Sequence, residues 1–180
     1  MSETPVAWPA FDEEVVRAMA KWPDVPQCFG WLSLDMRGQW RIQGEVIRHV
    51  RTQTFLARHY RADEQGRWYV QNGPQQVFVT LDYTPWIYSW QLTQSFTTHS
   101  GIETRDLRAV YLDDDGNLLL LTALGIGMLD DRDLAACELL LERDDQGTPR
   151  AFVWQHGQLP LASLPRAQVA ARFGFVPQPQ

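Results

Sequence analysis

Residues 34–40, Leu-Asp-Met-Arg-Gly-Gln-Trp, decide the fold, because residues 112–118 repeat their pattern as Leu-Asp-Asp-Asp-Gly-Asn-Leu. Two further matches follow in the same order. Asp-Glu-Gln-Gly at 63–66 corresponds to Asp-Asp-Gln-Gly at 144–147, and the pairing continues into residues 70–73 and 154–157. Such self-similarity indicates an internal duplication, which predicts two similar units in one chain, and ligands often bind at the seam between such units.

Each copy carries one predicted helix between stretches that alternate in polarity. The helix of the first copy spans residues 52–60 with Thr52 as its N-cap, and that of the second spans 131–141 with Asp130 as its N-cap. The alternating stretches predict strands, so each copy is ββαββ-like and the fold class is α+β with mainly antiparallel sheets. Residues 86–99 predict an additional hairpin that has no counterpart in the second copy.

These elements give the expected domain organisation. Residues 1–27 form an N-terminal helical segment, whose helix over 11–21 we expect to pack across both copies. Residues 28–85 form the first repeat, and residues 86–180 form the hairpin and the second repeat. After Pro165 we expect a short helical turn followed by a disordered Pro-Gln end.

Composition excludes several classes of protein. The 180 residues are 44% hydrophobic and 21% charged, as in ordinary soluble proteins. A net charge of −6 argues against nucleic-acid binding. No apolar run is long enough for a membrane span and no signal peptide is recognisable, so we expect a cytoplasmic protein. Cys28 and Cys137 lack a CxxC spacing, so we expect small buried thiols and neither zinc nor a redox pair.

No motif for catalysis, a metal or a cofactor is present in the sequence. The acidic run at 113–117 lacks the ligands that a calcium loop needs, and is typical of a hairpin turn. The four histidines show no zinc-binding spacing, and His59 is expected to be a partly buried, hydrogen-bonded group. A serine nucleophile elbow is also absent. We therefore expect no catalytic residues, no metal, no cofactor and no enzymatic activity.

Charge divides unevenly between the copies and suggests an anion site. Residues 37–67 contain seven arginines and three carboxylates, whereas residues 103–145 contain four arginines and twelve carboxylates. The first predicted helix is preceded by Arg48, His49 and Arg51, with Thr52 at its start. An anion would meet both the helix dipole and two guanidinium groups there. The alternative is that these side chains are solvated or paired with the acidic copy.

The first copy also resembles a known family. The matching residues are Gly38-Gln39-Trp40, Gly44, Ile47, Phe55-Leu56, residues 63–70 and residues 82–86, with weaker matches at 96–99 and 107–108. This order of motifs resembles the bacterial family called domain of unknown function 1285, or a sister of it, over about residues 30–110.

The resemblance implies a duplicated α+β core whose C-terminal part is similar to a pleckstrin-homology barrel. It also implies a nucleotide-like ligand at the domain interface, a role in signalling and no enzyme activity. Together with the helix entry, this predicts a non-catalytic module for a small anionic, nucleotide-like ligand at the repeat interface, with Trp68 and Trp86 as stacking surfaces and Arg108 as a further charge. The alternatives are a protein-interaction module without a small ligand and, third, an unrecognised enzyme.

Overall fold

The computed structural model describes residues 8–154 and 157–180, so residues 155 and 156 of the repeat and residues 1–7 of the N-terminal segment lie outside the described residues. The helices are α1 (Glu13–Lys21), α2 (Val50–His59), α3 (Leu134–Glu138) and α4 (Arg166–Phe173), with a 3-10 turn at Asp131–Asp133. The strands are β1 (Cys28–Leu34), β2 (Trp40–Ile42), β3 (Glu45–Val46), β4 (Tyr60–Ala62), β5 (Trp68–Asn72), β6 (Gln75–Leu81), β7 (Trp86–Gln91), β8 (Ser95–Thr98), β9 (Glu103–Thr104), β10 (Leu107–Leu112), β11 (Leu118–Thr122), β12 (Gly125–Leu129), β13 (Leu141–Arg143), β14 (Pro149–Trp154) and β15 (Gly157–Ser163).

The chain forms two compact units. The first contains the described residues up to Asp35 together with Gln39–Asp82 and Gly174–Gln180, and the second contains Met36–Gly38 and Tyr83–Phe173. The division into 1–27, 28–85 and 86–180 was drawn from the sequence repeat and stays a prediction. No helix of the described chain is long and apolar enough to cross a membrane.

Both units have the same strand topology. The sheet of the first unit has the order β3-β2-β1-β6-β5-β4. The second unit repeats it as β12-β11-β10-β15-β14-β13 and extends it beyond β12 by β7, β8 and β9. In each copy the first strand pairs in parallel with the last, β1 with β6 and β10 with β15. The predicted α+β class with two related, mainly antiparallel repeats is confirmed, and each copy has three strands on either side of its helix.

The matched aspartates hold equivalent turns. The Oδ1 atom of Asp35 accepts a hydrogen bond from the Gln39 N–H at 2.8 Å, and Oδ1 of Asp113 accepts one from the Asn117 N–H at 2.7 Å. Both aspartates are buried, at 7% and 5% exposure. A short carboxylate that binds nearby backbone N–H groups stabilises such a turn. The run at 113–117 is therefore a hairpin turn, as predicted.

The second pair of matched turns is also equivalent. Asp63 accepts a hydrogen bond from the Arg67 N–H at 2.9 Å, and Asp144 accepts one from the Thr148 N–H at 2.9 Å. The side chain of Arg67 also donates from Nε to Asp63 Oδ2 at 2.8 Å. The similar motifs at these turns thus form equivalent backbone hydrogen bonds in the two copies.

His59 connects the segment before α1 to the rest of the first unit as a buried side chain. Its Nδ1 lies 2.8 Å from the Phe55 carbonyl oxygen, and its Nε2 accepts a hydrogen bond from the Asp12 N–H at 3.2 Å. Because a carbonyl only accepts, the proton resides on Nδ1. Arg58 Nη1 donates to Asp12 Oδ1 at 2.8 Å. The prediction that His59 is hydrogen-bonded is confirmed, and its burial is complete where partial burial was predicted. These contacts of the segment before α1 lie within the first unit.

The C-terminal end is part of the first unit, so the prediction that it is disordered is wrong. Val176 donates its N–H to the Gly66 carbonyl oxygen at 2.9 Å, and Leu81 donates its N–H to the Pro177 carbonyl oxygen at 2.8 Å. Phe175 is only 7% exposed. The composition Pro-Gln indicates poor secondary-structure propensity, but burial of Phe175 and backbone pairing order the segment through tertiary contacts.

Candidate functional site

A cavity of about 300 Å³ lies in the first unit between α2 and its sheet. Its walls are mainly apolar, formed by Leu32, Ile42, Phe55, Leu56, Val70 and Val77. Its polar lining consists of Cys28, Thr52 and Asn72. This volume lies at the lower end of the range for small-ligand pockets, which are typically apolar with a few polar groups. The cavity is therefore the candidate site of the first unit.

A β-bulge brings Trp31 to this cavity. The register of β1 against β6 shifts between Cys28 and Leu32, and Gly30 within the shift has a φ of +74°. In a regular strand consecutive side chains point to opposite faces. Here Trp31 and Leu32 both line the cavity, which the bulge allows. Trp31 remains 54% exposed and Ile42 44% exposed, so both form an apolar rim.

The first turn of α2 reaches the cavity through Thr52. The helix begins at Val50, and its N-cap is His49, whose Nδ1 accepts a hydrogen bond from the Thr52 N–H at 3.4 Å. The prediction that Thr52 is the N-cap is therefore wrong. The helix starts two residues earlier than predicted because the histidine ring replaces the usual small capping residue.

Positive charge accumulates at this end of α2. Arg48 precedes the cap and Arg51 lies in the first turn; both are exposed, and neither forms an ion pair with another described residue of the first unit. The first turn contains no acidic residue. The N-terminal end of a helix carries a partial positive charge, and an acidic side chain usually compensates it. The four predicted residues Arg48, His49, Arg51 and Thr52 thus lie together at the start of α2, and of these four Thr52 lines the cavity.

The three other predicted residues lie elsewhere. Trp68 belongs to the first unit and is 6% exposed, within an aromatic cluster. Trp86 belongs to the second unit, is 0% exposed and donates its indole N–H to the Leu124 carbonyl oxygen at 2.8 Å. Arg108 of the second unit is exposed and lies 3.1 Å from an Asp106 carboxylate oxygen. The stacking role of the two tryptophans and the anion-binding role of Arg108 stay predictions.

The second unit has aromatic rings at the positions where the first unit has small cavity-lining residues. Strand pairing aligns Phe152 of β14 with Val70 of β5, because these residues pair with Leu159 and Val77 in equivalent strands. The sequence repeat instead matched Val70 with Trp154, so that part of the predicted alignment is wrong by two residues. By the same register Trp154 corresponds to Asn72. Phe152 is 0% exposed, and its ring centroid lies 5.9 Å from that of Trp154. The cavity therefore coincides with a divergence between the copies in side-chain volume.

The two cysteines differ in environment. Cys28 lines the cavity and is partly exposed. Cys137 in α3 is fully buried, and burial raises the pKa of its thiol to about 12. Thiol reagents react with thiolates, so Cys28 is the reactive thiol of the pair. The prediction of two buried thiols holds for Cys137 only.

Comparisons with known proteins give the family. A family described as "Protein of unknown function (DUF2946)" matches residues 11–180. The chain belongs to this family. No curated protein matches this DUF2946 protein.

Its fold resembles that of solved DUF1285 family proteins. The crystal structure of one from Silicibacter pomeroyi DSS-3 matches with a TM-score of 0.54 and 18% identity, covering 86% of this chain and 88% of that chain. One from Shewanella baltica OS155 matches with a TM-score of 0.46 and 16% identity, covering 59% of this chain and 88% of that chain. The predicted resemblance to the DUF1285 family or a sister is confirmed. At these identities the first match establishes the fold only, and the likeness to a pleckstrin-homology barrel stays a prediction.

Sequence reasoning missed the rim of the cavity in this DUF2946 protein. The sequence places Trp31 and Ile42 in the two strands of a predicted hairpin and Cys28 among the buried thiols, and it predicts no functional role for any of the three. One signal was available: Gly30 interrupts an otherwise strand-like run immediately before Trp31. An isolated glycine in a strand often marks a bulge, and bulges redirect neighbouring side chains.

Proposed function

We propose that this DUF2946 protein is a non-catalytic binding module whose first unit takes a small anionic ligand in the cavity between α2 and the sheet. The observation that carries the proposal is the cavity itself, an apolar space of about 300 Å³ beside the basic start of a helix. A nucleotide-like ligand at an interface between repeats was the expectation from the sequence. The proposal keeps the anionic ligand and moves the site into the first unit.

The apolar walls support a ligand with an apolar body. Trp31 and Ile42 are about half exposed, although large apolar side chains of this kind are normally buried. A ligand in the cavity would cover both side chains and remove their apolar surface from water. Each Å² of apolar surface so covered contributes roughly 25 cal/mol. The exposure of these two rim side chains is therefore consistent with a surface that becomes buried when a ligand binds.

The start of α2 supports an anionic group on that ligand. Arg48 and Arg51 have no ion-pair partner among the described residues of the first unit, and Thr52 in the same turn lines the cavity. A carboxylate or phosphate at this end would compensate the helix dipole. Guanidinium groups bind such oxyanions with two parallel hydrogen bonds.

The lining of the cavity supports binding without catalysis. Its polar groups are one thiol, one hydroxyl and one amide, and among the described residues that line it there is neither a histidine nor a carboxylate. A nucleophile needs an adjacent base to be activated, and a general acid or base needs a suitable pKa. These side chains can contact a ligand, but none of them is suited to act as a general base.

Protection of Cys28 from a thiol reagent tests the proposal. Full-length protein is treated with iodoacetamide at pH 8 with and without 8-anilinonaphthalene-1-sulfonate, which combines an apolar body with an anionic group, and labelling is followed by mass spectrometry. We expect the probe to slow labelling of Cys28 at least fivefold. Val70→Phe, which introduces the ring found at the equivalent position of the second copy, is expected to abolish probe binding.

The control variant is Val153→Phe, which adds the same ring at a valine that is 40% exposed in the second unit. Circular dichroism and thermal unfolding establish that each variant is folded. Because Val70→Phe overpacks a buried site and could unfold the protein, Ile42→Ala at the half-exposed rim provides a second test. Unchanged Cys28 labelling in the presence of the probe, or equal probe binding by wild type and Val70→Phe, would refute the site.

A protein-interaction module is the second candidate, and exposed leucines favour it. Leu92 at the β7–β8 turn is 99% exposed and Leu139 after α3 is 87% exposed. A partner protein that covers either side chain would remove its apolar surface from water. Recovery of one stoichiometric partner that is lost in Leu92→Ser or Leu139→Ser, with no probe binding at Cys28, would favour this candidate.

A further inference from the structure

We infer that the ligand is a monocarboxylate with an aliphatic or aromatic body, and that it is not a nucleotide. The inference rests on the proposed binding function of the same cavity and names the class of molecule. Three observations carry it: the scarcity of polar groups inside the cavity, the two guanidinium groups outside its lining, and the position of Trp31 on the bulge of β1.

The interior has too few polar groups for a nucleobase. Cys28, Thr52 and Asn72 are the polar side chains that line the cavity, and Thr52 already contacts the Nδ1 atom of His49 through its hydroxyl at 3.1 Å. A base and a ribose carry several donors and acceptors, which lose their hydration on burial and need protein partners. An aliphatic or aromatic body makes no such demand and gains from contact with the apolar walls.

The positive charges of the protein at this site lie outside the lining of the apolar cavity. Arg48 and Arg51 are exposed and are absent from the lining, while Thr52 connects their turn to the cavity. The geometry fits a molecule whose apolar end is enclosed and whose single charged group remains at the mouth, where it keeps part of its hydration. A carboxylate satisfies this arrangement because its two oxygens match one guanidinium in a bidentate pair.

Trp31 provides the specificity for the apolar body. The bulge at Gly30 brings this indole to the same cavity as Leu32, and the second copy has Ala109 at the corresponding position, since Val110 and Leu32 occupy equivalent registers. An aromatic ring offers a large, rigid contact surface at low conformational entropy cost. The indole is 54% exposed, so a bound ligand would change its environment.

Calorimetric titration of the full chain with octanoate, 1-octanol and AMP separates the contribution of the apolar body to binding from that of the anionic group. Octanoate has both features, 1-octanol has only the apolar body, and AMP has an anionic group on a nucleoside. We expect octanoate to bind about tenfold more tightly than 1-octanol, as one charge-assisted pair provides. AMP is expected to bind at least tenfold more weakly than octanoate. Tryptophan fluorescence is expected to respond to octanoate in wild type and to lose most of this response in Trp31→Phe.

Arg51→Gln tests the charged contact against Arg17→Gln, which removes the same charge from an exposed position in α1. We expect Arg51→Gln to weaken octanoate binding about tenfold and to leave 1-octanol binding unchanged, whereas Arg17→Gln changes neither. If 1-octanol binds as tightly as octanoate, the monocarboxylate is refuted while the cavity remains a binding site. If AMP binds as tightly as octanoate, the class is refuted and a nucleotide-like ligand is supported. If no probe binds, both the inference and the proposed function fail.

Discussion

Gly66→Ala is predicted to release the C-terminal segment from the first unit. Gly66 has a φ of +76°, and a Cβ atom added there would lie 2.0 Å from the carbonyl oxygen of Gly174. Because the contact is with backbone, no side-chain rotation can relieve it. The chain around Gly174 must therefore move, and the segment that follows it loses its contacts.

The expected loss in free energy of unfolding follows from those contacts. An alanine at positive φ costs about 1 kcal/mol. Release of the segment removes the hydrogen bonds of the Val176 and Leu81 N–H groups, at about 1 kcal/mol each. It also exposes Phe175, which is 7% exposed, at about 2 kcal/mol. Full release therefore predicts a loss of about 5 kcal/mol.

Gly44→Ala is the matched control, because Gly44 has a φ of +85° and a Cβ built there has no heavy atom within 4 Å. Its expected loss is the backbone cost alone, about 1 kcal/mol. Urea unfolding gives both values, and digestion with carboxypeptidase reports the release of the end directly. Losses that agree within about 0.5 kcal/mol, with equal digestion rates, would contradict the contact between Gly66 and Gly174.

Three further results are expected. Phe152→Val introduces at a fully buried position the valine that the first unit has at Val70. It should lower the free energy of unfolding, measured in urea, by about 3 kcal/mol. A loss below about 1 kcal/mol would contradict a packing role for Phe152. Burial raises the pKa of Asp63, but the hydrogen bonds from Arg67 outweigh this effect and hold the pKa below its usual value. Wild type should therefore be more stable than Asp63→Asn above about pH 4, and this difference in free energy of unfolding should shrink as the pH falls through the pKa of the folded state. A difference that does not depend on pH would refute this reasoning. Tyr83 donates its hydroxyl to a carboxylate oxygen of buried Asp113 at 2.8 Å, so Tyr83→Phe should lower the free energy of unfolding by about 1–2 kcal/mol, and an unchanged value would show that water replaces this bond.

The duplication could be predicted because its signals are local. Asp35, Asp63 and their counterparts Asp113 and Asp144 bind backbone N–H groups within four residues, so four-residue motifs carry the whole geometry of the turns. Strand topology follows from the same repeat once the turns are aligned. In the first copy the third strand on either side of the helix was missed because β3 and β4 contain only two and three residues, too few for alternation to identify.

The cavity could not be predicted because it depends on packing between distant residues. Val70 and Asn72 are unremarkable in a strand, and only the spatial comparison with Phe152 and Trp154 shows that they leave space. The C-terminal end was missed for the same reason: its contacts are with Gly66 and Leu81, about a hundred residues away. Sequence patterns report local propensity, whereas tertiary contacts override it.

The divergence between the copies supports the binding site proposed for the first unit. Both copies share strand order, register and turn chemistry, so the duplicated scaffold supports a buried ring at the position of Phe152. The first copy instead has Val70 there, combines it with a bulge that brings Trp31 to the same space, and has two arginines at the adjacent helix start. Each change lowers stability by itself, through lost packing, an exposed indole and uncompensated charge at the helix terminus. Three unfavourable features around one cavity are consistent with a single cause, a ligand that occupies the space, covers the indole and pairs with the arginines.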